Sequence, residues 1–165
     1  NVIGKLTNPE LNPLFTFAVA GFNMRSSEFN ATLGIEQIKR LDNNIKRRKE
    51  NLKIWLQTLD SSKFITGFKS YGNSSFALPL IMQGASREKL CDVCGILEKE
   101  GVEYRLGTAG GGNQAKQPYL KKFPHRVVGK LAHTDYIHSN ALYVGNHTEL
   151  SKEQIINLCK KLNNV

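Results

Sequence analysis

No apolar run in this sequence approaches the roughly 20 residues needed to cross a bilayer, and no signal-peptide pattern opens it; a membrane partner is not expected. Cysteine is sparse. Three residues, an odd number, argue against a disulfide framework and for a reducing compartment, hence the cytoplasm. Cys91 and Cys94 make a formal CxxC, but no second pair follows and the motif falls inside a helix pattern rather than at a helix N-terminus. Cys94 continues an apolar face, so packing is its expected role. His125, His133 and His138 lack ligand spacing with acids or cysteines, are read as surface residues, and no metal site is expected. Aromatic residues are not interleaved with basic ones, which argues against a single-strand nucleic-acid binder.

Acidic residues are also in deficit. Lys and Arg total 23 against 14 Asp and Glu, a formal charge of +9. Such an excess suits a nucleic-acid surface or a pocket for anionic ligands. The densest cluster, Lys46, Arg47, Arg48, Lys49 and then Lys53, is distributed around a helix and reads as a solvated surface.

A length of 165 residues suits one domain with a real core. The first residue is Asn1, not Met, and residues 7–13 read as loop, so the chain is expected to begin inside a longer protein. Residues 14–20 are apolar enough for a short strand. Ser26 and Ser27 offer an N-cap, with Glu28 in the first turn where the helix dipole favours an acid. From there Phe29, Leu33, Ile38, Leu41, Ile45, Leu52, Leu56 and Leu59 recur near helical spacing, uninterrupted by proline. A continuous helix of about 30 residues would be roughly 45 Å long, more than this domain's core requires. It is expected to reach a second domain or a partner subunit.

The remainder alternates. A strand is expected within residues 73–82, with Pro79 marking an edge or bulge. Ser86 caps a helix carrying Leu90, Val93, Cys94 and Leu97, and Gly101 ends it. Strands follow at residues 102–106 and 141–145, with a short helix over residues 135–140 between them. Ser151 to Gln154 is a capping box for a final helix with Ile155, Ile156, Cys159 and Leu162. The fold class is therefore α+β: a long N-terminal helix, then a small sheet of about three strands covered by helices. The expected organisation is a lead-in over residues 1–26, the long helix over 27–60, and a small domain over 61–165.

Residues 107–118, GTAGGGNQAKQP, run on directly from the second strand. A P-loop requires Lys followed by Ser or Thr entering a helix, whereas Lys116 is followed by Gln117 and Pro118. The triplet Gly110, Gly111 and Gly112 does not have dinucleotide-fingerprint spacing. Two readings remain open: a strand-to-loop transition presenting Asn113, Gln114, Lys116 and Gln117 to hydroxyls and phosphate oxygens, or a plain surface loop.

Two stretches carry a family resemblance. Residues 21–38, GFNMRSSEFNATLGIEQI, with Arg47 and Arg48 further on, resemble the GYNxRxxExxAAxGxxQL segment of the pyridoxal-phosphate-dependent sugar aminotransferases, the DegT/DnrJ/EryC1/StrS family. The stretch from Gly101 to Leu150 is similar to the C-terminal part of the same family, above all its nucleotide-sugar 3-dehydratases, which act on 4-keto-6-deoxyhexoses.

The resemblance implies the small domain of an aspartate-aminotransferase-like fold, in a homodimer with active sites at the subunit interface. It implies that Asn23 reaches the phosphate of pyridoxal 5'-phosphate in the neighbouring subunit. Arg25 lies close by, as a substrate or interface contact or in an ion pair with Glu28. The loop then faces a nucleotide-sugar substrate, with Arg105, Asn113, Lys116 and Gln117 as contacts and Arg105 or Lys116 offsetting diphosphate charge. The glycine triplet and Lys116, where the dehydratases carry Arg, depart from that branch and leave aminotransferase activity open. His147 precedes Thr148 where relatives have proline, and is read as structural. The family's Schiff-base Lys, or the His replacing it in the dehydratases, lies upstream of the first motif. This chain alone is therefore expected to be inactive, with no catalytic residue of its own. Two other readings are a stand-alone basic module for anions or nucleic acid, and a structural dimerisation domain built on the long helix.

Overall fold

A computed structural model describes residues 26–84, 86–107, 112–116 and 123–165. Two compact units divide the chain, one ending at Lys39 and one beginning at Arg40. The expected strand over residues 14–20 lies outside the described residues.

Helix α1 covers Glu28–Thr58. Ser27 accepts the Asn30 N–H on its Oγ at 3.3 Å, so the second of the two candidate serines caps the helix. In the first unit Phe29, Leu33, Ile35 and Ile38 are all exposed. At 3.6 residues per turn they spread over more than half the helix circumference.

In the second unit α1 turns amphipathic. Leu52, Trp55 and, just beyond the helix, Leu59 enter a core shared with strand β1 (Ala77–Ile81), helix α2 (Arg87–Lys99), strand β3 (Ala141–Gly145) and helix α4 (Lys152–Leu162). Strand β2 (Tyr104–Leu106) completes an antiparallel sheet of order β1-β3-β2, and helix α3 (Ala132–Asn140) leads into β3. The α+β layout expected from the sequence is the one found.

The sheet explains Pro79. Met82 donates its N–H to Asn140 O at 3.0 Å. In the register Leu80↔Leu142 and Leu78↔Val144 this sets those as the hydrogen-bonded pairs. Pro79 then falls at a non-hydrogen-bonded position of an edge strand, where the N–H it lacks would point away from β3. Its carbonyl points the same way and accepts the Trp55 indole N–H at 2.8 Å. Trp55 is 0% exposed, so this bond satisfies the one polar atom of the largest core side chain.

Leu78, Leu80, Leu142 and Val144 share the face beneath the helices, and all four are buried. Cys159 joins that core, its thiol pushed up to about 12 by burial, and Cys94 is half-buried against it with a raised pKa of the same cause. Both are packing residues with little thiolate character. Helix ends follow the local sequence: Ser86 accepts the Lys89 N–H, Gly101 takes φ +67, and Ser151 and Gln154 form the expected reciprocal box.

A polar knot ties α1 to the end of β3. Asn146 donates to Arg48 O at 3.0 Å and to Ser75 O at 2.8 Å, and accepts from Asn51 Nδ2 at 3.0 Å. Arg47, read from the sequence as solvated surface, is half-buried instead and donates to Leu150 O at 2.5 Å. Proximity of α1 to the start of α4 turns this charge inward.

Candidate functional site

The glycine loop leaves β2 at Gly107, whose N–H donates to Ala141 O at 2.5 Å. A Cβ at this position would collide with the Ile137 carbonyl oxygen and press on Ala141 O. Glycine is required here by a close approach of backbones. Gly112 contributes differently, through its φ of +49. Residues 108–111 and 117–122 lie outside the described residues, and Gln117 with them.

Beyond Gly112 the chain makes a single turn, Gln114–Lys116, clasped against α3. Asn113 is 3% exposed, and its groups are engaged on several sides. Its N–H donates to His138 Nδ1 at 3.0 Å, its Nδ2 to Asp135 Oδ1 at 2.7 Å, and its Oδ1 accepts the Ala115 N–H at 3.0 Å. Lys116 Nζ reaches the same Asp135 Oδ1 at 2.6 Å. Hydrogen bonds from Lys116 and then Asn113 hold the Asp135 carboxyl below the usual aspartate range. Helix α3 is itself fixed to the residue following β1 through Tyr136, whose hydroxyl donates to Met82 O at 2.6 Å.

Asn113 and Lys116 are thus brought together, by two residues that sequence reasoning does not assign to the site. Asp135 reads in the sequence only as a helix start. His138, read as a surface residue, is half-buried and accepts from the loop. Asp135 and His138 lie three apart, one face of a helix, and that spacing is the signal the sequence offers. Arg105 lies on β2, opposite Tyr143 in the register and on the sheet face away from the core, and pairs with Glu103 at 3.5 Å. That face holds a shallow cleft of about 340 Å³ lined by Phe76, Ala77, Arg105 and Tyr143 among others. Asn23 and Arg25 lie outside the described residues. His147 Nδ1 accepts the Glu149 N–H at 3.3 Å, a turn contact in keeping with a structural role.

A family model described as the DegT/DnrJ/EryC1/StrS aminotransferase family matches residues 7–163. The chain belongs to this family. Among curated members, GDP-4-keto-6-deoxy-D-mannose 3-dehydratase of Yersinia pseudotuberculosis is 30% identical over 159 residues, covering 96% of this chain and 40% of that protein. Among solved members, E. coli GDP-4-keto-6-deoxy-D-mannose-3-dehydratase with bound hydrated pyridoxal phosphate superposes with a TM-score of 0.77 at 28% identity, over 91% of this chain and 39% of that one. PseC of Helicobacter pylori, an aminotransferase involved in pseudoaminic acid biosynthesis, shares the fold with a TM-score of 0.67 at 18% identity, over 88% of this chain and 39% of its own. The chain spans about 40% of the length of the curated family members it matches.

Proposed function

We propose that this chain is the small α+β domain of a pyridoxal-phosphate-dependent family member that acts on a nucleotide-linked 4-keto-6-deoxy sugar, by 3-dehydration in preference to transamination. The observation that carries this reading is the 30% identity with a 3-dehydratase over 96% of the chain. The clasped loop supports it, because it holds a cation next to a segment of amide side chains. Three donors belong to the Lys116 ammonium. Asp135 takes one and fixes the group's position, which leaves two for diphosphate oxygens. Arg105 adds a second, exposed cation. Asn113, its amide already engaged by Asp135 and Ala115, serves the substrate by holding the loop's shape, and Gln117 and Arg25 complete the contact set expected from the sequence.

Pyridoxal phosphate, when bound, supplies the electron sink of the reaction. The resemblance assigns Asn23 of this chain to its phosphate, and Asn23 lies outside the described residues. The described donors, Lys116 and Arg105, have the chemistry of a diphosphate site. The exposed apolar side chains of Phe29, Leu33 and Ile38 are those of a helix built to be covered. This supports a homodimer in which α1 meets the rest of the enzyme or its partner subunit.

The test is product analysis with the enzyme that carries this chain, given pyridoxal phosphate, glutamate and GDP-4-keto-6-deoxymannose. Loss of the 3-hydroxyl supports the proposal, replacement of the 4-keto oxygen by an amine moves the enzyme to the aminotransferases, and unchanged sugar contradicts both. Lys116→Ala should raise KM about tenfold with a smaller effect on kcat, the signature of lost ground-state binding.

A further inference from the structure

A second cationic recess lies on α1, built from residues the sugar-nucleotide reading does not use. Lys49, Lys53 and Gln57 stand at i, i+4 and i+8 of α1 and line one side of a cleft of about 610 Å³. Ser70, Tyr71, Gly72 and Ser75 close the other side. None of the five ion pairs among the described residues involves Lys49 or Lys53. Two ammonium groups one turn apart repel each other, and no carboxylate among the described residues pairs with either.

Ser75 supplies the independent observation. It is 2% exposed, and its Oγ has no hydrogen-bond partner. Its backbone is fully engaged: the N–H donates to Asn73 Oδ1 at 2.6 Å and the carbonyl accepts from Asn146 Nδ2 at 2.8 Å. Its φ of +54 is a conformation that glycine adopts at lower cost. The position therefore carries a hydroxyl that neither the turn nor the core uses, in the wall of a cleft with two unpaired lysines. Two positive charges match the charge of a phosphate group better than that of one carboxylate, and lysine ammonium binds phosphate as a point charge.

We propose that this cleft binds a phosphate-bearing small ligand, held by Lys49 and Lys53 with Ser75 Oγ as the buried donor. Tyr71, fully exposed at the rim, is placed to cover the bound group.

The test is a titration of the full 165-residue chain with inorganic pyrophosphate at fixed ionic strength, followed by amide NMR. Saturable shifts are expected at Lys53, Gly72 and Ser75; shifts at Gly112 to Lys116 would report the glycine loop instead, so the two sites are read separately. Lys49→Ala/Lys53→Ala should weaken binding at the cleft about a hundredfold, as loss of two charge-assisted contacts entails. Ser75→Gly preserves the backbone conformation and removes only the hydroxyl, and should weaken binding roughly fivefold. Lys152→Ala/Lys160→Ala, on the exposed side of α4, should leave it unchanged. Absence of saturable shifts at the cleft, equal weakening by the α4 pair, or undiminished binding by the Lys49/Lys53 and Ser75 variants would each overturn the proposal.

Discussion

The two ends of α1 both carry apolar side chains and meet opposite surroundings. Phe29 and Leu33 are 84% and 65% exposed, whereas Leu52 and Trp55, six turns further on, are 4% and 0% exposed. Periodicity of 3.6 sets which residues share a helix face; whether that face is covered depends on what else folds against it. For the second half the cover is inside the chain, in β1, β3, α2 and α4. For the first half it is not found among the described residues, as befits a chain that matches about 40% of its curated family members' length.

The widest contrast is between two truncations. Trp55→Ala removes the largest core side chain and its bond to Pro79, and should cost about 3–5 kcal/mol in urea or thermal unfolding. Leu33→Ala in the same chain should change stability by less than about 0.5 kcal/mol. Comparable losses would erase the distinction between the halves. Asn146→Ala should cost about 1–3 kcal/mol, since it strips Ser75 O of its donor at a buried site and removes the second donor to Arg48 O. A smaller contrast compares two arginines on one helix. Arg47→Ala loses the bond to Leu150 O and should cost about 1 kcal/mol, while Arg40→Ala, fully on the surface, should be close to neutral.

The glycine loop is a third case, held by polar contacts and by hardly any core. Asp135 has a lowered pKa in the folded chain, so its contribution is present above the ordinary aspartate value of 3.8 and is lost as pH falls through the lowered one. The protection of the Asn113 amide, measured against its intrinsic exchange rate at each pH, should therefore fall in acid below that range while the core amides keep theirs. Asp135→Asn should show the faster Asn113 exchange already at neutral pH. Unchanged exchange in both experiments would mean that the backbone, not the clasp, holds the loop.

These regions also differ in how far local sequence reveals them. Caps at Ser86 and Ser151, the stop at Gly101 and the edge position of Pro79 are local, and each is legible from neighbours within a few residues. The short helix expected over residues 135–140 begins earlier, at Ala132; Leu131 has no side chain that can cap it, so the sequence carries no signal for that start. Trp55 is absent from the expected apolar face although it stands three residues after Leu52 and four before Leu59; only the bond of its indole N–H to Pro79 O, 24 residues away, lies beyond local sequence. The loop clasp is invisible for the same reason, as Asp135 and His138 meet Asn113 across 22 and 25 residues. Glycine content draws attention to the triplet, while the steric demand at Gly107 arises from carbonyls of α3 and β3.

Hydrogen exchange along α1, in this chain alone and in the longer enzyme with pyridoxal phosphate bound, tests most directly whether the chain is one part of a larger sugar-modifying enzyme. Residues 28–41 should exchange rapidly in the isolated chain and become protected in the enzyme, while residues 50–58 are protected in both. Equal protection of residues 28–41 in the two states would contradict it, because the first half of the helix would then need no cover from the rest of the enzyme.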